Sequence, residues 1–134
     1  MRAGSLFSGI GGLDVAAERA LADCELAWAV ESEPACVKVL RRHWPKARVI
    51  GEDVRAVDPS GLEPVDVLSA GFPCSDLAVC GKRTGLDGEK SGLYSEVLRF
   101  ARVLQPQFLI IENVLNVLKY RERIERDLSA LGYG

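Results

Sequence analysis

The sequence predicts an α/β fold with a parallel sheet, arranged as a Rossmann-like half-sheet. Short apolar runs typical of buried strands alternate with segments whose apolar residues recur at helical spacing. A glycine-rich turn, residues 8–12, joins the first apolar run to the first helical segment. Strands that are separated by helices pair in parallel through right-handed crossovers. With 134 residues the chain has room for one domain, so we assign residues 1–134 to a single domain.

The elements follow in order from the hydrophobic pattern and its breaks. We expect strands over residues 3–7, 26–30, 48–50, 65–70 and 108–111. Helices are expected from residue 13 to about 21, from Pro34 to about Trp44 with Ser32 as its cap, from 91 to 104, and from about 120 to 131. The glycine-containing stretch from 71 to about 90 is predicted to be a long loop, and loops of that length are usually functional.

Composition argues against several classes of protein. The formal net charge is −2, so the charge of the whole chain gives no argument for or against nucleic-acid binding. No apolar stretch is long enough to cross a membrane, and the start of the chain leaves no room for a signal peptide. Four cysteines without a CxxC pair and a single histidine, His43, argue against zinc and against a disulfide framework. We therefore expect a reduced, cytoplasmic protein.

The first turn has the character of a cofactor loop. Gly9, Gly11 and Gly12 allow a sharp turn and close approach of a ligand, while Asp14 stands where a dinucleotide fingerprint has its third glycine. A pyrophosphate is therefore disfavoured. Glu31 follows the second strand at the place of a ribose-binding carboxylate, and Asp53 follows the third, where it could accept a hydrogen bond from an adenine amino group. The set suggests an adenosine cofactor without phosphates, S-adenosylmethionine, although a helix cap on a tight turn would use the same glycines.

A cysteine and a carboxylate are predicted at two further strand ends. Cys74 follows Pro73 after the fourth strand and opens a loop that contains Lys82 and Arg83, a setting that can stabilise a thiolate. Glu112 ends the fifth strand, where partial desolvation would favour proton transfer. No histidine pairs obviously with the cysteine, which disfavours a Cys-His hydrolase. The alternative for the glutamate is a charge at a helix N-terminus.

These motifs together resemble the DNA (cytosine-5)-methyltransferase family. The segment 5–12 (SLFSGIGG) looks like the cofactor motif of that family, 71–74 (GFPC) like its nucleophile motif, and 112–114 (ENV) like its glutamate motif. Gly85 and residues 91–94 (SGLY) resemble the segment that follows the catalytic loop. The resemblance implies an S-adenosylmethionine-dependent methyltransferase fold with sheet order 3-2-1-4-5.

The resemblance also implies roles for individual residues. Cys74 would add to C6 of a cytosine flipped out of double-stranded DNA, and Glu112 would protonate or hydrogen-bond the ring nitrogen. Asn113 would support the loop that carries the cysteine, Phe7 and Phe72 would help to form the cofactor and base pockets, and Lys82 and Arg83 would contact phosphates. The complete set of expected cofactor-binding positions is Phe7, Gly9, Gly11, Gly12, Glu31, Ser32, Asp53, Val54, Gly71, Pro73 and Leu93; the set expected for support and DNA contact is Phe72, Asn113, Val114, Lys82 and Arg83.

The chain departs from the family pattern in two ways. Ser75 replaces the usual glutamine, and Ala78 and Cys80 occupy loop positions often held by serines. The family also continues with a target-recognition region that this sequence lacks, so the fold is expected to be incomplete at its C-terminal side, with the fifth strand at an edge. A complementing chain could supply that part. The alternatives are a non-catalytic remnant or interaction subunit, an RNA cytosine methyltransferase and, last, a nicotinamide-dependent dehydrogenase.

Overall fold

A computed structural model of the chain describes residues 1–73 and 93–134. Its centre is a five-stranded sheet in the order β3-β2-β1-β4-β5, and every neighbouring pair of strands is parallel. The strands are β1 (Arg2–Leu6), β2 (Glu25–Val30), β3 (Arg48–Ile50), β4 (Val67–Ala70) and β5 (Phe108–Ile111). Both the α/β class and the predicted strand order 3-2-1-4-5 are confirmed.

Within residues 1–73 and 93–134, four α-helices lie between or after the strands: α1 (Gly12–Ala20), α2 (Pro34–His43), α3 (Tyr94–Leu104) and α4 (Arg121–Ser129). The same residues contain three short 3-10 helices that were not predicted, Val54–Ala56, Pro59–Gly61 and Leu115–Tyr120. Elements of this length show no hydrophobic periodicity from which a helix can be recognised. The last of them occupies the residues directly before α4.

One capping prediction is wrong. The residue that caps α2 is Glu33, whose carboxylate accepts a hydrogen bond of 3.4 Å from the backbone N–H of Ala35. Ser32, which was expected to be the cap, lies one position too early because Pro34 is already the first residue of the helix. A cap directly precedes the first helical residue, so the proline itself marks position 33.

The core lies on both faces of the sheet, as parallel sheets with helices on each side require. Side chains alternate between the faces along each strand. On one face Leu6, Trp28, Leu68 and Phe100 belong to one buried cluster, whereas Ala3, Ala29, Leu40 and Val67 belong to a second cluster. The Trp28 ring packs directly on Gly4 of β1, where even a β-carbon would overlap it.

The described residues contain neither a membrane-spanning helix nor a cluster of metal ligands. No helix over residues 1–73 and 93–134 is long and apolar enough to span a membrane. The same residues contain no group of three or more His, Cys, Asp or Glu side chains placed to hold a metal ion. Cys24 and Cys36 are both free thiols.

Candidate cofactor and catalytic site

The turn after β1 adopts an unusual backbone conformation. Phe7 has a φ of 56°, which is left-handed and rare for a large side chain, and Gly9 has a φ of 55°. The N–H of Phe7 donates a 3.0 Å hydrogen bond to the carbonyl of Val30 at the end of β2. Strained backbone of this kind is concentrated at ligand-binding and catalytic sites. The turn therefore ends β1 one residue earlier than predicted and directs the loop across the end of β2.

Gly11 is required for a different reason from Gly9. Its φ is 88°, and a β-carbon at this position would overlap the ring of Trp44, which lies against it at the end of α2. The Trp44 indole N–H also donates a 2.9 Å hydrogen bond to Glu18 of α1. Gly11 thus permits α1 and the end of α2 to pack together. Gly12 begins α1 with open space around its α-carbon.

A cleft of about 200 Å³ lies at the carboxyl ends of the strands. This is the position at which open α/β sheets bind their ligands. Eight of the predicted cofactor-binding residues line it: Phe7, Glu31, Ser32, Asp53, Val54, Gly71, Pro73 and Leu93. Gly9, Gly11 and Gly12 do not line it, so their part in cofactor binding stays a prediction.

Two further lining residues, Val30 and Glu52, were missed. Each directly precedes a predicted site residue, Glu31 or Asp53 respectively. Only their position in the sequence could have indicated these two residues, because residues next to the end of a strand lie at the same edge of the sheet. Val30 adds apolar surface to the cleft and Glu52 adds a carboxylate.

Glu31 connects the glycine loop to the start of α2. One carboxylate oxygen accepts a 2.7 Å hydrogen bond from the N–H of Gly9, and the other accepts a 2.8 Å hydrogen bond from the N–H of Glu33. The glycine loop and the start of α2 are therefore both held by this side chain. Because each carboxylate oxygen has two lone pairs, Glu31 retains acceptor capacity for the hydroxyl groups of a ribose.

Asp53 is ionised and already paired. Its carboxylate forms an ion pair of 2.7 Å with Arg55 and accepts the backbone N–H of the same residue at 2.9 Å. The hydrogen bond from the Arg55 side chain is the largest cause that lowers the pKa of Asp53, to about 2. The carboxylate is thus a hydrogen-bond acceptor over the whole physiological pH range, as a contact to an amino group requires.

Asp14 lies buried at the start of α1, only 3% exposed. One oxygen accepts a 3.2 Å hydrogen bond from the Ser69 hydroxyl on β4, while the other is buried with no hydrogen-bond partner among the described residues. Burial is the main cause that raises the pKa of this carboxyl above its ordinary value. Asp14 is not among the residues that line the cleft, so its part in excluding a pyrophosphate stays a prediction.

The two predicted catalytic motifs meet at the ends of β4 and β5. Ala70 pairs with Ile111 in the sheet, so Gly71 and Glu112 are the next residues along two adjacent strands. The Glu112 carboxylate lies beside Gly71, and a β-carbon there would be 3.3 Å from its Oε2. Asn113 donates a 2.9 Å hydrogen bond from its side-chain amide to the carbonyl of Phe72. The segment that leads to Cys74 is therefore bound to the segment that carries Glu112.

Several predicted features of this region differ from expectation or lie beyond the described residues. Glu112 is exposed, so the partial desolvation expected for it is not observed. Phe72 is buried in the core against the ring of Tyr94, at 5.7 Å between centroids, and does not line the cleft. Val114 is 38% exposed. The predictions for Cys74, Lys82 and Arg83 fall on residues 74–92, outside the described residues.

The model of one protein family, the C-5 cytosine-specific DNA methylases, matches residues 1–134. This chain belongs to that family. Members that it resembles include the type II methyltransferases M.NgoFVII of Neisseria gonorrhoeae, 33% identical over 96% of this chain, and M.Eco47II of Escherichia coli, 34% identical over 96%. The chain spans about a third of the length of these curated relatives, 36% and 32% respectively.

Solved structures confirm the fold of this chain. A prophage-encoded DNA modification methyltransferase of Escherichia coli superimposes with a TM-score of 0.74 at 25% identity, over 96% of this chain and 37% of that one. DNMT2 of Schizosaccharomyces pombe superimposes with a TM-score of 0.73 at 18% identity, over 97% of this chain and 42% of that one. The predicted family and the predicted methyltransferase fold are both confirmed.

Proposed function

We propose that this chain carries the cofactor-binding and catalytic residues of a DNA (cytosine-5)-methyltransferase, which transfers a methyl group from S-adenosylmethionine to C5 of cytosine. The observation that carries the proposal is the meeting of three motifs at one edge of the sheet. The segment 5–12 contributes Phe7 to the cleft, the GFPC segment contributes Gly71 and Pro73, and Glu112 lies beside Gly71. The names of the bacterial relatives, type II methyltransferases, support the same activity.

The cleft residues fit an adenosyl group. Val54, Leu93 and Pro73 offer apolar surface to a flat base. Asp53 would accept a hydrogen bond from the exocyclic amino group, and Glu31 would accept hydrogen bonds from the ribose hydroxyls. Asp14, which stands in place of the third glycine of a dinucleotide fingerprint, disfavours a cofactor with a pyrophosphate at the start of α1. When bound, S-adenosylmethionine supplies an electrophilic methyl group on a sulfonium.

The chain's own residues would perform the remaining chemistry. The thiolate of Cys74 would form a bond to C6 of a cytosine that has left the DNA stack, which makes C5 nucleophilic. Glu112 would hold a proton on the ring nitrogen N3 as negative charge develops there. After C5 has gained the methyl group it would lose its proton, and the bond from C6 to the Cys74 sulfur would break. Lys82 and Arg83 would contact backbone phosphates.

We also propose that further polypeptide completes the enzyme at β5, as a separate complementing chain or as more of the same protein. Within the described residues β5 has a neighbour on one side only, β4. Beside it is an apolar groove of about 370 Å³, whose apolar wall consists of Leu109, Ile111, Val117, Leu118, Ile124 and Leu128. An apolar strand with a free edge is normally covered in a native protein. The relatives, which are about three times as long, have residues available for this purpose.

A chimera tests the proposed activity. Residues 1–134 would replace the matching part of M.NgoFVII, and transfer of a radioactive methyl group from S-adenosylmethionine would be measured on double-stranded DNA and on RNA. We expect methylated DNA, complete loss of transfer in Cys74→Ser, and retained transfer in the control Cys80→Ser. A folded chimera that is inactive would indicate a remnant, methylation of RNA alone would indicate an RNA enzyme, and activity in Cys74→Ser would refute the mechanism.

A further inference from the structure

Arg99 forms a bridge between α3 and the segment that follows β3. Its guanidinium donates hydrogen bonds of 2.9 Å to the carbonyl of Val54 and of 3.0 Å to the carbonyl of Val57. These two carbonyls lie at the start and just beyond the end of the 3-10 helix Val54–Ala56. A single side chain thus binds both ends of one short helix.

The guanidinium is itself held in place. Glu96, one helical turn earlier on α3, accepts hydrogen bonds of 2.8 Å from Nε and 2.6 Å from Nη2 of Arg99. The two side chains are only 34% and 18% exposed. The planar guanidinium can make these bonds simultaneously because its donors have a fixed fork geometry, whereas a lysine ammonium cannot. Charge-assisted bonds in a partly buried place are stronger than ordinary surface ion pairs.

The two segments that Arg99 joins form facing parts of the cleft. Asp53 and Val54 line it from the segment after β3, and Leu93 lines it from the residue directly before α3. Arg99 is six positions beyond Leu93, about 9 Å along the helix at 1.5 Å per residue. Movement of the 3-10 helix away from α3 would therefore carry Asp53 and Val54 away from Leu93.

We propose that Arg99 is a positioning residue for cofactor binding, which sets the width of the adenosyl cleft by tying the Val54–Val57 backbone to α3. The inference rests on the proposed function, because it concerns the cofactor of the same site. Glu96 acts through Arg99 by orienting the guanidinium. Neither residue lines the cleft.

The experiment compares variants of the 134-residue chain by calorimetric titration with S-adenosylhomocysteine and by amide hydrogen exchange. Arg99→Met removes the guanidinium and keeps an apolar side chain of similar length. We expect binding about tenfold weaker, which corresponds to the free energy of one lost hydrogen bond to a charged group. The amides of Ala56 and Val57, which bond within the 3-10 helix, should exchange faster. Arg99→Lys should restore only part of the affinity.

Two controls separate positioning from general stability. Arg102→Met removes an exposed arginine from the last turn of the same helix and should change neither readout. Val97→Ala opens a cavity at a fully buried position of α3 and should lower the melting temperature while leaving the affinity of the folded chain unchanged.

The outcomes distinguish the inference from the proposed function. If Arg99→Met binds as tightly as the unsubstituted chain, or if Val97→Ala weakens binding equally, the positioning role is refuted and the proposed function stands. If neither the unsubstituted chain nor its chimera with M.NgoFVII shows saturable binding, the proposed function is refuted and the inference falls with it.

Discussion

The surface at the carboxyl ends of the strands has two different sides. Near β2 and β3 the polar side chains have hydrogen-bond partners, whereas near β5 apolar side chains are exposed. On the side of β2 and β3, Glu31 binds the N–H groups of Gly9 and Glu33, and Asp53 is paired with Arg55. On the side of β5, Leu115 is 84% exposed and Leu118 is 62% exposed. Isolated apolar residues on a surface are ordinary, but Leu118 is part of an apolar groove beside β5.

The difference indicates what each side needs. On the side of β2 and β3, hydrogen bonds within the chain already hold the side chains in place. A ligand that enters the cleft therefore needs to order these side chains little further. The β5 side has apolar surface that gains free energy only when something covers it. We therefore expect substitutions on the side of β1, β2 and β3 to change the free energy of unfolding strongly. Substitutions at the exposed residues of the β5 side should change it little.

The largest effect is expected at Gly11. Gly11→Ala places a methyl group into the Trp44 ring and requires a left-handed backbone of a residue that disfavours it, so the free energy of unfolding should fall by about 3 kcal/mol. The matched control is Gly12→Ala at the start of α1, which should keep or raise stability by about 0.5 kcal/mol. Urea denaturation measures both, and equal behaviour of the two variants would contradict the packing described for Trp44.

An intermediate, pH-dependent effect is expected at Asp14. Its folded-state pKa is raised above its ordinary value of 3.8, mainly by burial. The folded state therefore holds the proton more tightly than the unfolded state does, so the stabilisation present below pH 3.8 is lost as pH rises through the raised pKa. The loss is about 1.4 kcal/mol for each unit by which the pKa is raised.

The variant Asp14→Asn tests this assignment because it cannot ionise. Relative to the unsubstituted chain, its free energy of unfolding should become larger, meaning a more stable fold, as pH rises from about 4 to 7. Denaturation curves at several pH values would show the trend. A difference between the two proteins that stays constant with pH would mean that Asp14 is not the group responsible.

The smallest effect is expected on the β5 side. Leu115→Gln replaces a side chain that is 84% exposed, so the free energy of unfolding should change by less than about 0.5 kcal/mol. Phe100→Ala, at a fully buried position of α3, should instead cost about 3 to 5 kcal/mol. A large loss for Leu115→Gln in the 134-residue chain would show that this side is already covered and would remove the contrast between the two regions.

Much of the fold follows from the sequence because its signals are local and periodic. Alternation of apolar runs with helical spacing predicts all five strands, and the observed limits differ from the predicted ones by at most two residues. Phe7 illustrates the error: it is apolar and continues the β1 pattern, yet its backbone turns left-handed because the loop must cross β2. The 3-10 helix Val54–Ala56 depends on the Asp53 carboxylate and on Arg99, which is 45 positions beyond Val54. Such a tertiary contact leaves no local signal.

The candidate site likewise has residues that local sequence signals indicate and residues that only tertiary contacts place. Glu31 and Asp53 were found because a carboxylate directly after a strand is visible in the sequence, and both line the cleft. Gly11 was assigned to the cofactor, whereas its observed contact is with Trp44, 33 positions beyond it in sequence. Arg99 was not recognised at all, since nothing in its neighbours along α3 indicates that it binds the backbone after β3. The sequence predicts which residues lie at the end of a strand, and tertiary packing decides which of those residues line the cleft.

The central claim is that the cleft binds S-adenosylmethionine, and calorimetric titration of the 134-residue chain with this cofactor tests it most directly. We expect saturable binding with one site per chain, clearly weakened by Glu31→Ala. Glu33→Ala, which removes only the cap of α2, should leave the affinity nearly unchanged. No saturable binding, or binding that Glu31→Ala does not weaken, would contradict the claim.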